Sequence, residues 1–351
     1  YNGGENDDTK LTDYASQLQE VTFDTTAPEL TAGTATRDSE TSAAVTFTSD
    51  EAGTCYYAVV DRGATAPTID TTGTGTPCAA GKNTVSLNDL MPGAKDLYIV
   101  VKDAAGNESE MLKVEIPASA LAAPQNPVLT GTAPGQAAAA WDAVANASGY
   151  SVQLYKYGAP QGEPMKVQGT DCTFAITEAG NYTFTVTALG TEGQYQDSEA
   201  SGPSGPLPFY EISFAEGGIP AQYVPQGGQA AEPSAPAKEG YTFGGWFSDE
   251  ALTVPFDFTG ARMPNQDMNL YAKWEPRSYT VSFDAVNGDD PSPITVRYGE
   301  RYGTLPTLTN DTLRFLGWFT QAEGGEEVTA DTIYSLTENQ TLYARWAEKI
   351  E

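Results

Sequence analysis

"GYTFGGWFSDEALTVPFDFTGARMPNQDMNLYAKW" occupies residues 240–274, and "RFLGWFTQAEGGEEVTADTIYSLTENQTLYARW" occupies residues 314–346. Both stretches keep one aromatic frame. Phe243, Trp246, Tyr271 and Trp274 recur as Phe315, Trp318, Tyr343 and Trp346, each 72 positions further on. Upstream, "YEISF" at 210–214 matches "YTVSF" at 279–283 with an offset of 69, so one loop differs by three residues. Surface loops are where such variation belongs. A period near seventy exceeds the ~20–50 residues of a solenoid turn. It suits two tandem copies of a small domain. Each copy opens on an alternating strand, Tyr210/Ile212/Phe214 or Tyr279/Val281/Phe283. Each has a middle strand, "FGGWF" or "FLGWF", and closes on "NLYAKW" or "TLYARW".

A domain of ~70 residues buries a modest core and needs large apolar side chains to hold it. Fully burying one such side chain contributes ~1.5–3 kcal/mol. The eight repeated aromatics, Phe243, Trp246, Tyr271, Trp274, Phe315, Trp318, Tyr343 and Trp346, are therefore expected to form the repeat cores. Flat rings also stack on sugars, but recurrence at fixed places in a small domain favours the interior. Gly245 and Gly317 precede a tryptophan and are expected to let backbone approach the ring. Lys273 and Arg345 are expected to face solvent and blunt a strand edge.

These motifs resemble the internalin-type B repeat, also called the Listeria–Bacteroides repeat: Gly-Tyr-x-Phe-x-Gly-Trp-[Tyr/Phe], then Leu-Tyr-Ala-x-Trp. The first copy has the pattern whole in "GYTFGGWF" and "LYAKW". The second puts Thr312 and Leu313 where the glycine and tyrosine stand, and keeps "FLGWF" and "LYARW". The resemblance covers about residues 209–348. It implies compact β-grasp-like modules of bacterial surface proteins and implies no activity.

The rest of the chain is turn-rich, with 35 Gly and 23 Pro among its 351 residues, and its short β-branched and aromatic runs point to all-β architecture. "LTDYASQLQEV" (Leu11–Val21) is the one stretch expected to form a short helix. Proline-bearing stretches at 24–30, 116–127, 200–208 and 275–278 are expected to separate domains rather than run through sheets. "AAVTFTSD", "CYYAVVD" and "DLYIVVKDAAGNES" have the length and spacing of sandwich strands. Further on, Trp141 is followed by Tyr150, Val152 and Leu154, then Tyr182, Phe184, Val186 and Ala188, at the period of two that packs sheet on sheet. That pattern resembles the fibronectin type III family over about residues 124–204. "LNDLMPGAKDLYIVVKD" resembles its corner motif, but Asp96 stands in the tyrosine slot, with Tyr98 two residues on. The expected organisation is an N-terminal segment 1–26, an immunoglobulin-like sandwich 27–117, a fibronectin-like sandwich 122–205, and repeats at 206–276 and 277–348.

Composition narrows the function. With Lys+Arg 18 against Asp+Glu 47, the net charge of -29 argues against nucleic acid, whose binders need excess cations to displace counterions. It argues equally against anionic lipid. The chain has no histidine, which removes imidazole bases, imidazole metal ligands and Ser-His-Asp chemistry. Carboxylate pairs of the glycosidase kind survive that filter. Three scattered cysteines cannot make a four-cysteine metal site. Cys55 and Cys78 flank the loop "RGATAPTIDTTGTGTP" and are a candidate disulfide for an exported protein. Cys172 stands alone. "GTGTP" lacks the lysine of a phosphate loop. The acidic stretches "FTSDEAG" and "VNGDD" lack calcium-loop spacing and are expected to be solvated surface. Lys102, with Asp103 and Asn107 near it, is a weak isopeptide candidate, because neighbours along a strand point to opposite faces. No apolar run reaches the ~20 residues of a membrane span, and the opening "YNGGENDDTK" suggests a cut or a mature terminus.

The sequence therefore points to a non-catalytic, extracellular, multidomain stretch of a bacterial surface protein. It is expected to be monomeric, to need no cofactor or metal, and to meet a host protein, a glycan or a cell-wall component. The competing expectation is the accessory region of a large extracellular glycoside hydrolase, as spacer or carbohydrate-binding modules.

Overall fold

A computed structural model describes residues 23–216 and 218–349. The helix expected at 11–21 lies outside them. Every regular element among the described residues is a β-strand.

The first sandwich comprises β1 (Leu30–Arg37), β2 (Ala43–Ser49), β3 (Gly53–Asp61), β4 (Thr76–Cys78), β5 (Gly81–Leu87), β6 (Lys95–Lys102) and β7 (Leu112–Ile116). Its sheets run β1-β2-β5 and β4-β3-β6-β7. Alternation puts Ala43, Val45 and Phe47 of one sheet against Leu97, Ile99 and Val101 of the other, all buried in one core.

A short strand β8 (Ser119–Ala120) leads to the second sandwich: β9 (Val128–Ala133), β10 (Gln136–Ala140), β11 (Gly149–Lys156), β12 (Ala159–Pro160), β13 (Met165–Val167), β14 (Asp171–Ala175) and β15 (Gly180–Leu189). Trp141 packs on Tyr150 and Phe184 with ring centroids 5.4 and 6.0 Å apart. β8 pairs in parallel with β16 (Tyr195–Gln196), so the stretch between the sandwiches is itself hydrogen-bonded.

Beside β15 the chain lays down a serine ladder in place of a regular strand. Ser198, Ser201 and Ser204 give their backbone N–H groups to the carbonyls of Ala188, Val186 and Phe184. On Oγ each accepts the N–H of the same residue, at 2.8, 3.0 and 3.1 Å. All three serines are buried. Prolines and glycines, which cannot sustain a ladder alone, are thereby seated along β15.

The stretch at 200–208 consequently does not break the sheet, contrary to the expectation from its prolines. β17 (Leu207–Ala215) pairs with β15 through Leu207–Phe209 and continues as the opening strand of the first repeat. That repeat adds β18 (Gln222–Pro225), β19 (Tyr241–Phe247) and β20 (Met268–Pro276). The second has β21 (Ser278–Asp284), β22 (Ile294–Arg297), β23 (Leu313–Phe319), β24 (Glu327–Val328) and β25 (Gln340–Glu348). Strand orders are β18-β17-β20-β19 and β22-β21-β25-β23-β24. In both, the first and last long strands lie parallel at the centre. This is β-grasp order, but the fifteen-residue connections at 226–240 and 298–312 contain no helix. The three-residue difference falls in the first hairpin, whose loop spans 216–221 in one copy and 285–293 in the other.

The modules bury little surface against one another. The accessible surface of the chain is 21114 Å², against ~13,700 Å² for a compact monomer of 37.2 kDa.

Candidate functional site

Each repeat is organised around a bulge. Phe243 pairs with Trp274 and Trp246 with Ala272, so three steps on β19 answer two on β20. The same slip occurs between Phe315 and Gly317 on β23. An extra residue turns Phe243 and Trp246, three apart, onto one face, where their rings meet edge to face at 5.4 Å. Phe315 and Trp318 do so at 5.5 Å. The glycines serve this bulge rather than ring approach. Gly245 has φ +107 and open space where a β-carbon would stand, and Gly317 has φ +143, values that favour glycine.

Trp246 and Trp318 are 4% and 1% exposed and lie in two separate cores. Trp246 packs on Phe214 and Trp318 on Phe283, at 4.9 and 4.6 Å. Trp274 and Trp346 are half-buried caps on Phe243 and Phe315. Their indole N–H groups donate to the Glu216 carboxylate at 3.0 Å and the Ala285 carbonyl at 2.9 Å. Trp318 donates to the Pro306 carbonyl at 2.7 Å, whereas the buried Trp246 Nε1 has no partner.

Tyr271 and Tyr343 need correction. Alternation along β20 and β25 turns Leu270, Ala272, Leu342 and Ala344 inward, and both tyrosines point out of the opposite face, half-exposed and outside both cores. Leu270 and Leu342 are fully buried and share the 72-residue offset, a signal the aromatic pattern overshadowed. Lys273 and Arg345 do not guard an edge, because β20 and β25 are interior strands. Their cations lie over the rings of Phe247 and Phe319, at 5.8 and 4.0 Å from the centroids.

In the first sandwich, Cys55 and Cys78 are both buried free thiols. Register sets Cys55 opposite Thr76 and Cys78 opposite Gly53. Such diagonal partners lie ~7–8 Å apart, beyond the usual ~4.4–6.8 Å for a bridge, and the disulfide expected from the sequence is not made here. Burial, reinforced by Cys78, pushes the Cys55 thiol up to about 12. Burial and then Asp171 push Cys172 to about 11. Burial likewise raises Cys78, against a lowering contact from Ser49, so all three are held as poor nucleophiles.

Asp96, in the tyrosine slot, is completely buried. Arg62 Nε and Lys113 Nζ approach its carboxylate at 3.1 and 3.0 Å, and Gly63 donates its N–H at 3.0 Å. Burial acts to raise this carboxyl, but the Gly63 N–H, Lys113 and Arg62 outweigh it and hold it below the usual 3.8. The second sandwich keeps the tyrosine version, with Tyr182 donating to the Glu178 carbonyl at 2.9 Å.

Folding also gathers Asp24, Glu51 and Asp103, whose carboxylate oxygens lie within 4.8 Å of one another. Burial and then Asp24, Asp50 and Asp103 push Glu51 upward. Lys102 is ion-paired with Glu108 at 3.3 Å, and the Asn107 amide is committed to Asp103 and the Asp24 carbonyl. The Lys102 amine and the Asn107 amide are thus engaged with other partners rather than with each other.

Residues 210–273 and 279–345 each match the Listeria–Bacteroides repeat domain model. A protein of Evansella cellulosilytica named "Putative membrane protein" is 37% identical over 144 residues, which are 39% of this chain and 21% of that protein. Internalin H of Listeria monocytogenes is 34% identical over 117 residues, 33% of this chain and 21% of internalin H. The chain thus spans about a fifth of these relatives. A two-domain fibronectin type III segment of chicken tenascin covers 51% of this chain and 97% of itself at 12% identity, with a TM-score of 0.32. That superposition is too loose to bear on any site.

Proposed function

Because residues 210–273 and 279–345 are two tandem Listeria–Bacteroides repeat domains, we propose that the chain is a non-catalytic spacer of a bacterial surface protein. It holds a binding region away from the cell envelope, toward a host protein, a glycan or the cell wall. One observation carries this reading: every joint between modules is tied by hydrogen bonds or shared strands. β8 pairs with β16, β15 with β17, and only Arg277 separates β20 from β21. A spacer needs that stiffness, since loosely linked domains move freely by default. The burial of Trp246 and Trp318 further supports a structural role for the repeats over glycan stacking.

Surface shaving tests the location. Protease added to intact cells carrying the native protein is expected to release peptides from residues 23–349 without lysis. Their release only after lysis would contradict the proposal.

A further inference from the structure

The Gly-Tyr pair that opens the first repeat's motif lies outside the repeat's core. Neither Tyr241 nor Gly240 belongs to the core cluster, whereas Phe243 and Trp246 do. Gly240 is nevertheless buried. What covers it is the next repeat: a Cβ on Gly240 would lie 2.3 Å from the ring of Tyr298, and the backbone there has φ +77. The Tyr241 ring stands edge-on to Tyr298 with centroids 5.5 Å apart. Lys238 Nζ sits 4.9 Å from the centroid on Tyr241. Arg277 fastens the contact through its backbone, donating to the Gly240 carbonyl at 2.9 Å and accepting from the Tyr298 N–H at 3.0 Å.

Equivalent positions in the other copy isolate what this seam requires. Where the chain leaves the second repeat, Lys349 donates its N–H to the Thr312 carbonyl at 3.2 Å, repeating the Arg277–Gly240 bond 72 residues on. The exit path is thus retained. The seat is not: Thr312 and Leu313 replace Gly240 and Tyr241, and Thr312 has no positive φ. Where the chain enters the first repeat, Gln226 donates to the Pro208 carbonyl at 3.0 Å, as Tyr298 does to Arg277. There Gln226 stands in place of Tyr298, and the neighbour is a sandwich. The first repeat meets that sandwich through Pro225 against Gly131 and through the Gly135 N–H donating to the Tyr223 carbonyl at 2.7 Å.

We infer that Gly240–Tyr241 and Tyr298 form a repeat-to-repeat docking site, and that Thr312–Leu313 closes the array to any further repeat docked in this way. The motif's Gly-Tyr is an inter-module code rather than a core element. Glycine opens the space, the preceding tyrosine supplies one ring, and the following repeat supplies the other. A β-carbon at position 312 stands where the incoming ring must lie. This inference concerns the seam alone and stands whether or not the chain is a surface spacer.

Residual dipolar couplings of the whole chain in a dilute aligning medium test it. The strands β17–β20 and β21–β25 are expected to share one alignment tensor. Tyr298→Ala, which touches neither core, is expected to leave both repeats folded while the tensor magnitude of the second falls by roughly half, because domains without a firm interface move independently. Gly240→Ala is expected to do the same. A copy of residues 277–348 fused after Glu348 is expected to share the tensor only when Thr312→Gly and Leu313→Tyr are introduced. A common, undiminished tensor in Tyr298→Ala, or a rigidly aligned third copy behind unaltered Thr312 and Leu313, would overturn the inference.

Discussion

Trp318→Ala is expected to unfold the second repeat while leaving both sandwiches intact. Removing a buried tryptophan costs ~3–5 kcal/mol, and here the ring is 1% exposed, wedged between Phe283 and Phe315. Its N–H also leaves the Pro306 carbonyl without a donor. A module of ~70 residues has only ~3.5–10 kcal/mol in total, so this one change takes most of it. Calorimetry should show one transition lost and those of the sandwiches retained, because the sandwich cores are separate clusters. The two tryptophans also separate by chemistry. Trp246 Nε1 has no partner, so Trp246→Phe should cost less than Trp318→Phe by about the ~0.5–1.5 kcal/mol of one hydrogen bond. Equal costs would contradict the hydrogen-bond assignment of the two indoles.

Asp96→Ala should be the most damaging polar substitution in the first sandwich. It strands the Gly63 N–H, Arg62 and Lys113 around an empty pocket. Breaking a buried ion pair costs ~3–5 kcal/mol. The lower end applies, since Arg62 and Lys113 are 38% and 41% exposed and can turn toward water. Asp96→Asn keeps an acceptor for Gly63 and should cost about half as much, near the ~1.5 kcal/mol of a charge-assisted bond. The pH dependence follows from a carboxyl held below 3.8. A depressed folded value makes this stabilisation complete above the unfolded pKa of ~3.9, and it drains away as pH falls through the folded value. Urea midpoints of the wild type and Asp96→Asn should therefore converge on acidification. A difference that fails to shrink at all as the pH falls below the unfolded value of ~3.9 would contradict the assignment.

How much of this was legible in the sequence depends on what each residue reports. Period-two alternation and a fixed offset are local signals, so the sandwiches, the paired repeats and the tryptophans stand out in the sequence. Facing is harder to read. Tyr271 and Tyr343 recur as faithfully as Trp274 and Trp346, yet one position along a strand inverts the face, and only neighbouring strands decide which side is core. The bulge at Gly245 was equally hidden, because an i to i+3 pair on one face contradicts strand periodicity until an extra residue is counted. Asp96 and the serine ladder depend on partners more distant in sequence: Arg62 lies 34 positions before Asp96 and Ser204 lies 20 after Phe184. The Ser-x-x-Ser-x-x-Ser spacing at 198–204 was a visible clue inside a stretch otherwise marked as a linker. Proline content there suggested a break between domains. The ladder makes it a splint.

Small-angle X-ray scattering of the chain in solution tests the central claim, that these β-modules are joined end to end by structured seams. A compact globule of this length has a radius of gyration near ~20 Å. The tied joints and the large surface predict a value well above that, with the distance distribution of a stiff rod one module thick. A radius near the compact value, or a profile typical of beads on a flexible string, would contradict it.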